Sequence, residues 1–441
     1  MSRGFESHAL RWHSRHPFTE RKRVSDPRPS NRRAARTPTI ARHGRLKRSS
    51  ALATMAKLIG AALAVILVSA AGVAGIATVS LASAAQPSVH LANEKALGKI
   101  PSIGAIDGGV NLLLVGSDSR KGQDPVFGAE DETGDLNDVT MLMHISQDHS
   151  NVTVVSFPRD MFVPIPSCPD PSGGTFDSMT RQKINTTLTY GGLPCTVLTV
   201  EKLTGLTIPF AAEIQFGGVI EMSNAVGGVP VCVADKIEDE YTGTFLDPGE
   251  HTLSGMAALQ FLRTRHGVGD GSDLTRISNQ QVFLSSLVRT IKSADTLSNP
   301  VKLYSLAKAA LGNMTLSDSL SNMDRVVSIA LALKDIDLGK IVFVQYPTGS
   351  TEGGVIPRVD AADALNAALL ADQPIALSGT TGGSVTDPNA PAATQAPATT
   401  DATAAPDPAA TSGTDAVLPS DVSGQTAGQY TCSKGRTLDD Q

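Results

Sequence analysis

Arginine and aspartate recur in this chain where glycine, proline and short apolar runs mark the ends of structural elements. Gly116-Ser117-Asp118-Ser119-Arg120 follows one apolar run, Asn137-Asp138 stands before a second, and Phe157-Pro158-Arg159-Asp160 closes a third. Lys183 opens a segment of helical character, and Arg263-Thr264-Arg265-His266 leaves another. If that exit is extended, the guanidinium groups of Arg263 and Arg265 point the same way. Asp273, Arg276 and Gln280 then fall on one face of a helix. Arginine stays charged and grips phosphate oxygens two at a time. Carboxylates beside phosphate bring in a hard cation, most often Mg2+, which takes one or two Asp plus phosphate oxygens and water. The ligand that fits the set is a pyrophosphate clamped by Arg120, Arg159, Arg263, Arg265 and Arg276 together with one magnesium ion. A single Arg–Asp pair is more often a surface salt bridge worth about 0–1 kcal/mol. Joint placement at element ends is what singles these residues out.

The elements that must position them read as an alternation of strands and helices. Strand-like runs cover 110–115, 139–145, 152–157, 208–214, 229–233 and 340–346, and the polar turn 146–151 makes the second and third a hairpin. Helical patterns cover 183–190, 196–204, 254–261, 273–291, 302–311 and 320–333, with a last one from Asp360. This order predicts an α/β fold, a central mixed sheet layered with helices in a single domain. The site then falls at strand carboxyl ends, where open α/β sheets place ligands.

Charge divides the chain in two. Fifteen of its 37 Lys and Arg residues, but three of its 43 Asp and Glu residues, lie before Leu58. Residues 58–82 carry no charge at all, and about 20 apolar residues cross a bilayer as a helix. Basic residues on the N-terminal side leave residues 1–57 in the cytoplasm as a disordered tail and export the rest. A cleaved signal peptide is the other reading, since Ala82-Ser83-Ala84 offers a cleavage site, but its apolar core is usually only about 7–15 residues. The anchor is therefore preferred. Gly4-Phe5-Glu6-Ser7-His8 is what the T-arm of a transfer-RNA gene encodes when read in frame, which suggests a start site further downstream. With 4% aromatic and 18% charged residues and an acidic exported part, the chain has no nucleic-acid partner.

Cys168, Cys195, Cys232 and Cys432 all fall on the exported side, where disulfides form. Three pairings are open; Cys168 with Cys195 closes the shortest loop and is favoured. The expected layout is a linker over 83–99, a folded domain over 100–377 and a disordered Ala/Thr/Pro-rich tail over 378–441.

The motifs NLLLVGSDSR, NDVTMLMHI, VVSFPRDMFVPIP, KINTTLTYGG and ALQFLRTRHGVGDGSDLTRISNQQ, in that order, resemble the LytR–CpsA–Psr (LCP) family over residues 110–370. The stretch PTGSTEGGVIPRVDAADALNAALL is similar to actinobacterial members. The resemblance implies a single LCP-type domain behind one transmembrane helix, with the catalytic domain outside the cell. It implies an enzyme that moves a glycopolymer from a polyprenyl-pyrophosphate carrier to peptidoglycan, making a phosphodiester and releasing polyprenyl phosphate. Asp118 and Asp138 match the aspartates associated with magnesium. Arg120, Arg159, Arg263, Arg265 and Arg276 match the pyrophosphate arginines, and Lys183, Asp273 and Gln280 the remaining polar positions. Arg263 and Arg265 would stabilise the leaving oxygen, and Asp118 or Asp160 would activate the acceptor hydroxyl. The family often has Arg-Ser-Asp-Thr where this chain has Leu136-Asn137-Asp138-Val139, which puts one basic contact in doubt. Asp124, Glu130, Asp131, Glu132 and Asp135 form an acidic insertion, read as a solvated loop. Leu, Val, Ile and Met residues between Leu193 and Ala258 could line a lipid channel, or else be ordinary core. Water as acceptor (a hydrolase) and a non-catalytic lipid-phosphate scaffold are the competing readings.

Overall fold

The computed structural model describes residues 50–92, 94, 108–127, 134–293, 296, 299–389 and 415–441. The expectations for the start site, for nearly all of the basic tail and for Glu130, Asp131 and Glu132 lie outside the described residues. Contacts divide the chain into two units, Met1–Leu67 and Val68–Gln441. Helix α1, Ala51–Ala84, runs through that division. It starts earlier than the uncharged run because Ser50 caps it, its Oγ accepting from the N–H of Ala53 at 3.1 Å. The stretch Ala51–Leu81 is long and apolar enough to cross a membrane.

In the second unit, β1 (Val110–Ser117) and β2 (Asn137–Ile145) pair antiparallel, and β2 pairs antiparallel with β3 (Val152–Phe157) across the expected hairpin. Ser146 Oγ organises that turn by accepting from the N–H groups of Ser150 and Asn151. A shorter pair follows, β4 (Phe162–Ile165) with β5 (Met179–Lys183). Lys183 thus ends a strand instead of opening a helix; its backbone is extended at φ −65°, ψ 135°, and a short 3-10 turn separates it from α2 (Thr187–Thr204). Two helices were expected over α2, and its backbone is indeed two helical stretches divided by a non-helical break. The break falls at Gly191-Gly192, where a Cβ on Gly191 would lie 2.7 Å from the Pro169 carbonyl oxygen and 3.0 Å from each Cβ of the Cys168–Cys195 disulfide.

Strand β6 (Phe210–Ile214) runs parallel to β1, and α3 (Phe216–Ala225) follows it. A subsidiary region holds β7 (Val229–Val233), the hairpin β8 (Ile237–Asp239) with β9 (Thr244–Leu246), and β10 (Gly249–Leu253). Helices α4 (Gly255–Arg263), α5 (Asp273–Lys292) and α6 (Pro300–Asn313) come next, then edge strand β11 (Met314–Leu316) and α7 (Met323–Lys334). Strand β12 (Ile341–Gln345) lies parallel to β3, and α8 (Val359–Leu370) completes the expected helices.

The expectation of a disordered tail is corrected over its described residues, 378–389 and 415–441. Past residue 377, β14 (Gly424–Thr426) pairs with β12 and β15 (Cys432–Ser433) with β7 of the body, and β13 (Val385–Thr386) pairs with β15. The central sheet has seven strands in the order β11-β6-β1-β2-β3-β12-β14, and the second sheet runs β10-β7-β15-β13. Leu418, Val422 and Ala427 are buried, and Cys432 is bonded to Cys232. Composition averaged over the whole tail concealed these few apolar anchors. The described part of the linker is also docked: the Val89 N–H donates to Leu316 O at 2.9 Å, and Leu91 is buried in the core.

Strand alternation sorts the core onto the two faces of the sheet. Leu113, Val115, Leu142 and Val155 pack on one face with Val197 and Val200 of α2 and Leu365 of α8. Val110, Val154, Phe210 and Phe343 face the other way, toward Ile329 of α7 and Leu284 of α5. The fold is α/β, with a mixed central sheet between helices, as the element order predicts.

Candidate functional site

The candidate residues meet where β1 ends, β2 begins and α5 starts. Asp118 continues from β1 and is tied to the residue before β2: its N–H donates to Leu136 O at 3.0 Å, and its Oδ1 accepts from the Leu136 N–H at 2.8 Å. Asp138, the second residue of β2, pairs with the Arg159 guanidinium from the end of β3. Arg159 donates its backbone N–H to Asp273 Oδ2 at 2.9 Å and faces Asp160 at 3.6 Å. Asp160 pairs in turn with Lys183 at 2.8 Å.

Helix α5 supplies the centre of the cluster. Ser272 caps it by accepting from the Thr275 N–H, which turns Asp273 and Arg276 inward. Arg276 forms an ion pair with Asp273 at 2.7 Å, with side chains only 5% and 8% exposed, and donates to the Asp138 carbonyl at 2.7 Å. One buried guanidinium thereby ties α5 to β2.

Arg263 and Arg265, at the end of α4 and just beyond it, both lie near Arg276. Arg263 lies over the Phe216 ring at 4.4 Å and interacts electrostatically with Asp138, Arg120, Arg276 and Asp118. Arg265 interacts with Arg159, Arg276, Asp273 and Asp160. Both guanidinium groups are held below the usual arginine range by loss of solvent; at Arg263 the Asp138 charge opposes this and Arg120 and Arg276 add to it, and at Arg265 the charges of Arg159 and Arg276 add to it. Arg120, Arg159, Arg263, Arg265 and Arg276 thus form one connected cluster, although they are far apart in sequence. The Nε atoms of Arg265 and Arg276 are buried and make no hydrogen bond among the described residues.

The carboxylates divide by environment. Burial raises Asp118 above the usual carboxylate range; the Leu136 N–H opposes this, and the Asp138 charge adds to it. Burial also pushes Asp160 up, but the Lys183 hydrogen bond and the charges of Arg159, Lys183 and Arg265 outweigh it, and Asp160 lies below that range. Two carboxylates close enough for one to raise the other make the donor set a divalent cation relieves.

Behind the cluster lies an apolar cavity of about 250 Å³. Asp138, Arg263, Arg276 and Gln280 stand at its polar wall. Gln280 is fixed there by donating Nε2 to Leu262 O at 2.9 Å. The apolar walls include Leu114, Met141, Phe216, Val219, Met222, Leu259, Phe283, Leu287 and Met314. The expected lining between Leu193 and Ala258 is only partly right. Val219 and Met222 line the cavity, whereas Leu193, Val197 and Val200 pack in the core on the opposite face of the sheet. Phe216 was also missed, and no local motif marks it.

The LytR_cpsA_psr family model matches residues 78–367, from within α1 to α8. The chain belongs to the LytR_cpsA_psr family. Among LytR_cpsA_psr relatives, it is 30% identical over 277 residues to cell wall biosynthesis protein LcpA of Corynebacterium glutamicum, covering 56% of this chain and 52% of that one. It is 27% identical over 305 residues to the polyisoprenyl-teichoic acid–peptidoglycan teichoic acid transferase TagT of Bacillus subtilis, covering 65% and 88%. A LytR-Csp2A-Psr enzyme structure from Actinomyces oris superposes with a TM-score of 0.49 at 22% identity, covering 65% of this chain and 96% of that one. The chain spans about half the length of the corynebacterial relatives it matches.

Proposed function

We propose that this protein transfers a glycopolymer phosphate from a polyprenyl-pyrophosphate carrier to peptidoglycan, as a phosphotransferase anchored in the cell membrane by α1 with its N-terminus in the cytoplasm. The observation that carries the reading is an arginine cluster two of whose members, Arg263 and Arg276, stand at the polar wall of an apolar cavity. A lipid tail and a doubly phosphorylated head require those two environments side by side. The names of the LcpA and TagT relatives, a cell wall biosynthesis protein and a teichoic acid transferase, support the same direction.

In this mechanism the arginines hold the pyrophosphate. An acceptor hydroxyl on peptidoglycan attacks the glycan-side phosphorus and forms the new P–O bond. The bond from that phosphorus to the bridging oxygen breaks, and polyprenyl phosphate leaves with the electron pair. Charge growing on the bridging oxygen is met by Arg263 and Arg265, preplaced donors being the main lever in phosphoryl transfer. Asp118 and Asp138 would hold Mg2+, which when bound neutralises phosphate charge. Asp160 is committed to Lys183 and Arg159 and serves to hold those cations; Asp118 would take the hydroxyl proton only where it is not a ligand of the metal.

The test incubates the full chain in detergent with Mg2+, a polyprenyl-pyrophosphate-linked oligosaccharide and peptidoglycan. The expected result is polyprenyl phosphate released in step with glycan covalently joined to peptidoglycan, and lost on chelation of the metal. Release without attachment would make the protein a hydrolase. Binding without release would make it a scaffold and end the transferase reading.

A further inference from the structure

Asp239, the last residue of β8, is fully buried and was not singled out by its sequence context. Its Oδ1 accepts from the N–H groups of Tyr241 and Thr242 at 3.0 and 3.2 Å. Its Oδ2 accepts from Thr264 Oγ1 at 2.6 Å and from the Arg265 N–H at 3.1 Å. All four donors are neutral. A buried carboxylate is costly unless fixed dipoles replace its water, and here two of those dipoles belong to the segment that carries the clamp.

Thr264 is also fully buried and extended (φ −58°, ψ 134°), and it stands between the two arginines. Its hydroxyl turns inward to Asp239, while Arg263 and Arg265 leave on the site side. Gly267 closes down on this contact: a Cβ there would lie 2.9 Å from Ile237, 3.0 Å from the Thr264 hydroxyl and 3.1 Å from Asp239 Cβ. From beyond, the Arg436 N–H donates to Gly267 O at 2.8 Å, and Arg436 O accepts from the Glu238 N–H at 3.0 Å. The exit of α4 is therefore held from both sides.

We propose that Asp239 and Thr264 are a positioning pair for the arginine clamp, their hydrogen bond fixing the exit of α4 and hence the placement of Arg263 and Arg265. This rests on the reading of the site as a pyrophosphate clamp. Neither residue contacts the ligand; both act through the arginines.

Thr264→Val keeps the side-chain shape and removes the hydroxyl, and Thr264→Ser restores it. In the full chain, Thr264→Val should lower kcat/KM for transfer by about ten- to a hundredfold, since a displacement of about 1 Å costs up to about 10²-fold. The loss should fall mainly in kcat, and Thr264→Ser should recover to within about threefold of wild type. Affinity for inorganic pyrophosphate with Mg2+, measured by calorimetry, should weaken and recover in the same order. Hydrogen exchange across residues 264–267 should speed up in the valine variant alone. The proposal is overturned if Thr264→Val keeps wild-type kinetics and pyrophosphate affinity, or if serine restores stability but not turnover. A wild-type chain that neither transfers nor binds pyrophosphate would defeat the clamp reading, while exchange would still show whether the Asp239 bond fixes this segment. Should the valine variant not fold, Asp239→Asn, which replaces one acceptor oxygen with a donor, is read by the same measurements.

Discussion

Replacing Arg265 with alanine should separate chemistry from folding, because its guanidinium contributes little to stability. Its Nε is buried without a hydrogen bond, and no ion pair reaches its side chain among the described residues. Loss of solvent and the charges of Arg159 and Arg276 hold it below the usual arginine range, with Asp273 and Asp160 opposing, so its charge is held there against burial and like-charge repulsion. Alanine removes a packed stem but also a repulsion. These terms oppose each other, and the net change should stay within about 1 kcal/mol, roughly 2–4 °C in Tm for a domain of this size class. Turnover should respond very differently. One preplaced donor at a developing oxyanion is worth about 2.7–4 kcal/mol, or about 10²–10³ in kcat. The assay is polyprenyl phosphate release at saturating donor, run beside thermal unfolding of the same preparation. Arg265→Lys should recover only part of the loss, because an ammonium keeps the charge but not the planar fork. Wild-type turnover in a normally folded Arg265→Ala would refute the assignment. A melting temperature lower by more than about 8 °C would instead show that the residue holds the fold together.

Arg276→Met should show the opposite balance: it strands the buried Asp273 carboxylate and should destabilise the domain by about 3–5 kcal/mol in denaturant titration, before any question of activity. Asp160 is held below the ordinary carboxylate range, so its contribution should be present above its unfolded value of about 3.9 and disappear as pH falls through the folded value. The stability gap between wild type and Asp160→Asn should therefore be about 0.5–1 kcal/mol near neutrality and close in acid; a gap that widens in acid would contradict the assigned ion pairs. Replacing Cys232 and Cys432 together with serine opens a bond between residues 200 apart and should cost about 2–5 kcal/mol, with faster hydrogen exchange at 424–433.

What the sequence made legible follows from the range of the forces involved. The strands and helices around the site are written in local periodicity, and β2 and β3 form the expected hairpin. Their polar ends are legible too, because Asp118 and Arg159 sit where apolar runs stop and Asp138 where one begins. The cavity was not, since whether Val197 or Val219 faces it depends on which side of the sheet each helix packs. Periodicity shows that a helix has an apolar face but not what that face covers. The tail was missed because its order comes from partners far away in sequence: β14 pairs with β12, and Cys432 bonds Cys232. The odd signal was a cysteine inside an otherwise featureless segment. Asp239 was hidden for a related reason, as its four donors come from its own hairpin and from the exit of α4.

Four of the arginines fall into two kinds. Arg159 and Arg276 are spoken for: each pairs with a carboxylate and ties separate elements together, Arg159 at Asp138 and Asp273, Arg276 at Asp273 and the Asp138 carbonyl. Arg263 and Arg265 have no carboxylate within ion-pair distance among the described residues and lie against an aromatic ring or near like charges. A protein selected for stability alone would not gather cations with so little compensation. The paired arginines build a frame, and the frame holds the other two where their charge is unsatisfied. That surplus is what a dianionic ligand would neutralise. Adding pyrophosphate with Mg2+ should therefore raise the melting temperature of wild type, and the gain should shrink more in Arg263→Ala and Arg265→Ala than in Lys183→Ala. Equal shifts in all three variants would mean that the ligand does not use the unpaired arginines.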